Sequence, residues 1–400
     1  MSKAQTFSLG EVCSFYNGKA HENAISESGN IKVINSKFVS SEGASYKLTN
    51  EVIFPLYKGD ICLVMSDVPN GKTLAKCFLV DRDNSYSLNQ RICVIRTNNF
   101  DLKFLFYQLN RHPYLLAFNN GENQTNLRKE NILNCPLWMP SIPEQKRIVA
   151  ILDQAFADID QARATAETNL KNTRELLDSY LQKVFSQRGE GWNIVELEKV
   201  SNIVNGYAFS SSDFSSQHQV KSIKITNVGV YEFIEDSDNF LPMEFSKEYS
   251  RYRANEGDIV IALTRTIISS GLKVATVPAS YDGALVNQRV AVIQANEKVI
   301  PKEILQAFLS TRIATDYVKS NVNELMQPNL SIKDLRAFPI PIPPSDIVES
   351  ISKDIYLIRE RTNQLLSLYT RKIKALDELK KSILQKAFAG ELTKSEGIAA

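Results

Sequence analysis

The feature that most limits what this 400-residue chain can fold into is an internal repeat with a period near 200 residues. Leu9-Gly10-Glu11-Val12, with Asn17-Gly18 further on, returns as Leu197-Glu198-Lys199-Val200 with Asn205-Gly206. Ile31-Lys32 returns as Ile223-Lys224, Gly59-Asp60-Ile61 as Gly257-Asp258-Ile259, and Asn89-Gln90-Arg91 as Asn287-Gln288-Arg289. The last two pairs share one offset, 198, so the halves need no net insertion between them. Gln124-Thr125-Asn126-Leu127 is answered by Gln327-Pro328-Asn329-Leu330, and the prolines at 136–143 by those at 339–344. A repeat this long is a duplicated domain rather than a solenoid unit.

Each copy ends in a stretch of more than forty residues with no internal proline or glycine, 143–186 and 344–389. The two stretches close on nearly the same words, Leu181-Gln182-Lys183-Val184-Phe185 and Leu384-Gln385-Lys386-Ala387-Phe388. In the second, Ile351, Ile355, Ile358, Thr362, Leu365, Tyr369, Ile373, Leu376, Leu379 and Ile383 recur in steps of three and four, which predicts a coiled-coil seam. In the first, Ile148 is followed by Ala155, Ile159, Ala162, Ala166, Thr173, Leu176 and Tyr180, small residues that let a partner helix approach closely. At about 1.5 Å per residue each rod is roughly 60–65 Å long. Neither buries its stripe alone, so the two are expected to pair, the second running back along the first. The expected fold is mixed α/β (α+β): two similar strand-rich globular domains separated by a long antiparallel two-helix coiled coil, a pseudo-twofold repeat within one chain. The boundaries read as domain one at 1–142, a spacer helix at 143–188, domain two at 189–343, a second spacer helix at 344–390 and a tail at 391–400.

Within residues 1–140, short apolar runs such as 31–34, 59–65 and 91–95 are separated by Gly, Asn, Asp and Ser turns, and a helix is predicted near 102–110. A hydrophobic content of 43% suffices for real cores, and no apolar run is long enough to span a bilayer. The N-terminus carries no basic segment followed by an apolar run, so the expected location is the cytoplasm. The five cysteines form no CxxC pair and read as reduced, packed thiols.

A search for chemistry returns almost nothing. His21, His112 and His218 have neither metal-ligand nor triad spacing. Gly71-Lys72-Thr73 resembles the end of a phosphate loop, but Ser66 stands where that loop needs glycine and the residues after it read as a strand. No dinucleotide or methyl-donor loop appears, and Pro343-Pro344 lacks the preceding Asn or Asp of adenine methyltransferases. Asp236 and Asp238 sit in a polar loop and read as a solvated face. No catalytic residue, metal site or bound cofactor is therefore expected in this chain.

Two similar domains on paired rods without catalytic groups suggest recognition. The sequence resembles the specificity subunits of type I restriction-modification systems along essentially its whole length. The resemblance rests on Gly59-Asp60-Ile61, Asn89-Gln90-Arg91, the Gln124-to-Leu127 element, and the opening Pro140-Ser141-Ile142-Pro143-Glu144-Gln145-Lys146-Arg147-Ile148, with the cycle then repeated. The second half departs from it: Pro343-Pro344-Ser345-Asp346 stands where Glu-Gln is expected, so that end of the second rod is expected to meet its partners differently. The resemblance implies that each globular domain reads one half of a bipartite double-stranded DNA target in the major groove, while the rods set the unread spacer. It further implies that the rods dock two methylation subunits, which bind S-adenosylmethionine and methylate adenine. Separate restriction and translocation subunits would use ATP and Mg, so the complex methylates and cleaves DNA while this chain contributes specificity alone.

Charge locates no binding face by itself. Fifteen Lys and Arg stand against twelve Asp and Glu in 1–143, and fifteen against eighteen in 190–343, so a DNA surface has to come from uneven distribution. Arg, Lys, Asn and Gln supply bidentate contacts to base edges. The candidates are Lys72, Gln124, Asn126 and Arg128 in the first half, and Arg265, Lys273, Gln327 and Asn329 in the second. Arg91 and Arg289 are kept in both halves, which points to a structural or phosphate-facing role. Arg265, whose counterpart is Asp67, is by the same logic a base reader. Tyr86 and Tyr281 read as strand caps. Ile148, Ile159, Leu176, Tyr180, Ile351, Ile358, Leu365, Ile373 and Leu376 form the expected helix-pairing and partner surface. Two other readings fit the residues: a coiled-coil scaffold whose duplicated domains bind protein without DNA specificity, and a nuclease with dispersed acids. A stable isolated homodimer would favour the scaffold and metal-dependent cleavage by the purified chain the nuclease.

Overall fold

The computed structural model describes residues 5–68, 71–119, 121, 123–236, 240–268, 271–321 and 329–393. It divides into two compact units, Met1–Thr165 with Ile373–Ala400, and Ala166–Lys372. Each unit holds one copy of the repeat and a part of both long helices, which run Ile142–Ser186 and Ser345–Phe388. No described helix is long and apolar enough to cross a membrane.

In the first unit an antiparallel sheet has the order Ser14–Asn17, Ile92–Arg96, Ile61–Val64, Cys77–Leu79. Alternation along its strands fills two cores. Ile61, Leu63, Cys93 and Ile95 face a layer containing Phe104, Leu105 and Leu109, whereas Cys62, Val64, Ile92 and Val94 face Ile34, Phe38 and Tyr86. Because both faces are covered, these strands read as continuous apolar runs. A second sheet pairs Ile31–Ile34 with Lys47–Thr49 in antiparallel and with Tyr86–Leu88 in parallel. The second unit repeats the pattern. Ser201–Asn205, Val290–Ala295, Ile259–Ala262 and Val274–Thr276 form its main sheet in the same order, and Val220–Ile223 pairs in parallel with Ala284–Val286.

The repeated Asn-Gly pair has a packing cause. A Cβ on Gly18 would stand 2.1 Å from the Asn89 carbonyl oxygen, and one on Gly206 2.2 Å from that of Asn287. The repeated Asn-Gly and Asn-Gln-Arg words are thus two sides of one backbone contact. Gly206→Ala is expected to destabilise the second unit by about 1–3 kcal/mol, because backbone rather than a flexible side chain has to move. Urea unfolding checks this, with Gly189→Ala, which meets nothing within 4 Å, as the unchanged control.

Within the first unit the long helices lie antiparallel. Arg163 bonds Asp377 at 2.7 Å while Asp160, one turn earlier, bonds Lys380, one turn later, at 2.8 Å. Ile148 and Ile159 are buried against the first domain's core, with Leu376 packed against the same core. In the second unit Tyr180 and Ile351 pack against the core around Leu181, Phe185 and Ile355, while Ile358 and, in the first unit, Ile373 are half-buried. Leu176 and Leu365 correct the sequence reading. They are 64% and 38% exposed, and the inward positions belong to Thr173 and Leu177 on one helix and to Thr362 and Leu366 on the other. A step of four is needed there, and the step of three taken from the sequence carries the side chain round to solvent.

The Pro-Glu-Gln opening of the first long helix is an internal staple. Gln145 is fully buried; its Oε1 accepts from the Asp101 amide at 2.7 Å and its Nε2 donates to the Pro140 carbonyl at 2.8 Å. Asp101 caps the helix Leu102–Leu109, so one amide ties two helix starts together. Val348, the fourth residue of the second long helix as Gln145 is of the first, packs instead against the apolar core.

Candidate nucleic-acid interface

Three repeated motifs, far apart in sequence, meet at one place in each unit. After the strand Ile61–Val64, the Met65 amide donates to the Arg91 carbonyl at 3.1 Å and the Leu127 amide donates to the Met65 carbonyl at 2.7 Å. Ser66–Asp67 then pairs with Thr125–Asn126. In the second unit the Leu263 amide donates to the Arg289 carbonyl at 2.8 Å, the Leu330 amide to the Leu263 carbonyl at 2.9 Å, and Thr264 bridges Asn329. These junctions between the three motifs are backbone bonds in both units, so the side chains displayed there can differ between the halves.

The side chains it displays are those of the sequence reading, with amendments. Lys72, Arg91, Gln124, Asn126 and Arg128 are exposed in the first unit, and Arg265, Arg289 and Asn329 in the second. Gln327 lies outside the described residues. Lys273 is not on a free loop: it is half-buried and its ammonium donates to the Ile225 carbonyl at 2.6 Å. Burial and then the charge of Arg265 hold the Lys273 pKa below its ordinary value. Ile225, Thr264, Arg265 and Arg289 line one cleft, so Lys273 braces a concentration of cations in a half of the chain that is acidic overall. Arg265 itself has a left-handed backbone, φ +47°, unusual for a side chain of its size.

At the place equivalent to Arg265 the first unit carries Asp67, and there the carboxylate turns inward onto three backbone amides, those of Val68, Thr73 and Leu74. Burial raises its pKa, but these bonds outweigh burial and the group titrates below the usual carboxylate value. A neighbouring cleft is lined by Asn35, Lys37, Lys47, Gln90 and Arg91, with the Gln90 amide donating to Glu22 at 2.9 Å. Lys37 and Lys47 escaped sequence reading because no local spacing marks them; only the sheet brings them beside Gln90.

The histidines and cysteines have structural places. His21 is buried; its Nδ1 faces the Lys19 carbonyl at 2.7 Å, which can only accept, so the Ser87 hydroxyl donates to Nε2 at 2.7 Å. Ser87 Oγ then accepts from the amides of Ile53 and Phe54. Burial pushes the thiols of Cys62, Cys77, Cys93 and Cys135 up. Tyr86 and Tyr281 are buried, the former donating to Asp81 at 2.6 Å. Among the described residues no group of His, Cys, Asp and Glu is placed to hold a metal ion.

The chain matches the model of the type I restriction modification DNA specificity domain twice, over residues 1–168 and 189–376. It is 25% identical over 381 residues to the Type I restriction enzyme MjaVIII specificity subunit of Methanocaldococcus jannaschii, covering 90% of this chain and 83% of that one. It is 22% identical over 339 residues to the Type I restriction enzyme EcoBI specificity subunit of Escherichia coli, covering 76% and 69%. Among solved structures, one described for complex assembly and conformational transition of the type I R-M system matches with TM-score 0.74 and 18% identity, covering 98% of this chain and 99% of that one. The crystal structure of the HsdS subunit from Thermoanaerobacter tengcongensis matches with TM-score 0.52 and 18% identity, covering 98% of each chain. With the family domain matched in both halves of the repeat, the chain belongs to the type I restriction-modification DNA specificity family.

Proposed function

We propose that residues 1–142 and 189–343 are two target-recognition domains, each reading one half of a bipartite double-stranded DNA sequence in the major groove. The helices at 143–188 and 344–390 set the length of the unread spacer and dock two methylation subunits, and 391–400 is a tail. S-adenosylmethionine belongs to those subunits, and ATP and Mg to the restriction and translocation subunits, so this chain selects the site and contributes no bond-making step. One observation carries the reading: the same backbone framework recurs in both units while the residue it displays changes from Asp67 to Arg265. Two domains that read different bases need a constant platform and variable contacts. The cations Arg265 and Arg289 at one cleft suit the guanine edge or the phosphates beside it. Half-sites one helical turn apart are separated by about 34–36 Å, which rods of this length can bridge.

The test is to assemble the chain with candidate methylation subunits and map methylated adenines. Wild type is expected to give one bipartite motif. Arg265→Ala is expected to relax one half of it, at a cost of about 1–3 kcal/mol in discrimination, and to leave the other half intact. An unchanged motif and affinity would remove Arg265 from the reading surface.

A further inference from the structure

We infer that Asp67 is a positioning residue for recognition of one half-site: its carboxylate anchors the segment that presents Lys72 to DNA. The inference rests on the recognition reading above and adds a residue that touches no base. Asp67 Oδ2 accepts from the Thr73 amide at 2.6 Å and the Leu74 amide at 3.0 Å, and Oδ1 accepts from the Val68 amide at 2.9 Å. Both oxygens are therefore committed to backbone, on the two sides of Lys72. Gly71 is required by the same arrangement, because a Cβ there would stand 2.2 Å from the Asp67 carboxyl carbon. Lys72 is fixed from the other side as well. Its carbonyl accepts from the Arg111 guanidinium, and the Lys76 amide donates to the Thr73 carbonyl at 2.9 Å. Arg111 in turn has a left-handed backbone, φ +60°, and its amide donates to the Ala75 carbonyl at 2.7 Å. The backbone around Lys72 is thus held from two directions while its side chain is exposed.

The second unit shows why this is more than a loop detail. The framework position occupied by Asp67 is there occupied by Arg265, which lines an open cleft. One unit uses the position to shape its reading segment and the other to present a cation directly. An asparagine at 67 has one acceptor and one donor end, so it cannot satisfy three amides; one N–H would face another.

The experiment uses the full chain assembled with methylation subunits and duplexes carrying the mapped site or single-base changes in either half. Asp67→Asn and Gly71→Ala are each expected to lower discrimination about tenfold or more in one half-site. That half is the one relaxed by Lys72→Ala and the opposite of the one relaxed by Arg265→Ala. Discrimination in the other half and the thermal unfolding midpoint of the chain are expected to stay close to wild type. Full discrimination in Asp67→Asn or in Lys72→Ala overturns the assignment. So does equal loss in both halves, which marks general unfolding. A wild-type complex without sequence preference overturns the recognition reading itself before any variant is compared.

Discussion

Ending the chain at Lys372 is expected to unfold the first recognition domain while leaving the second folded. The deleted segment belongs to the same compact unit as the N-terminal domain. Phe388 packs its ring 5.4 Å from that of Phe104, Ala387 is fully buried, and Leu376, Ile383 and Leu384 pack against the same core. Full burial of a side chain of this size contributes about 1.5–3 kcal/mol, so partial burial of several gives roughly 5 kcal/mol or more. A domain's whole stability is only about 5–15 kcal/mol. The ion pairs Arg163–Asp377 and Lys380–Asp160 contribute little of this, since their side chains are 35–59% exposed. Hydrogen exchange separates the outcomes. Protection is expected to vanish in Ile61–Val64 and Ile92–Arg96 and to persist in Ile259–Ala262 and Val290–Ala295. Persistence in all four strands would show that the helix end is an accessory to the first domain rather than part of its core.

The repeated closing words of the two long helices acquire a meaning from this packing that spacing alone does not carry. Phe185 is buried against Phe308 and Trp192 in the second unit, just as Phe388 meets Phe104 in the first. The repeat, the long helices and the strand runs are legible in sequence because periodicity is local. What stays hidden are contacts set by close approach of distant backbone. Nothing near Asn89 announces that Gly18 passes against its carbonyl, and nothing near Gln145 announces that its amide caps onto Asp101. The seam shows the same limit at finer grain: a helix alone permits both Leu176 and Leu177 as the inward residue, and only the packed partner chooses. Of the candidate site, residue types and exposure follow from the repeat logic, whereas the inward turn of Asp67 and the tethering of Lys273 depend on the local backbone.

The repeated Gly-Asp-Ile word yields the second large effect. Asp60 is buried, and it forms a bidentate pair with Arg96, 2.7 Å to each oxygen, while Oδ2 also accepts from the Tyr57 amide at 2.9 Å. Arg96 lies beside the rings of Tyr16 and Tyr57, 5.3 and 5.0 Å from their centroids. Asp60→Ala removes the anion, strands a guanidinium among aromatic rings and leaves a turn amide unbonded. A cost of about 3 kcal/mol is expected, at the lower end for a broken buried pair because the Arg96 side chain is 31% exposed. The second unit supplies the control, since Asp258 there accepts from the Asn255 amide at 2.9 Å and from the Gln294 side chain at 3.1 Å. A neutral amide thus satisfies this aspartate in the same fold, and Arg96→Gln is expected to cost only about 1 kcal/mol, the net value of an ordinary hydrogen bond. Urea unfolding of the two variants decides it. Equal losses would mean that the ion pair, rather than the capped turn before the strand, is what the repeated aspartate serves.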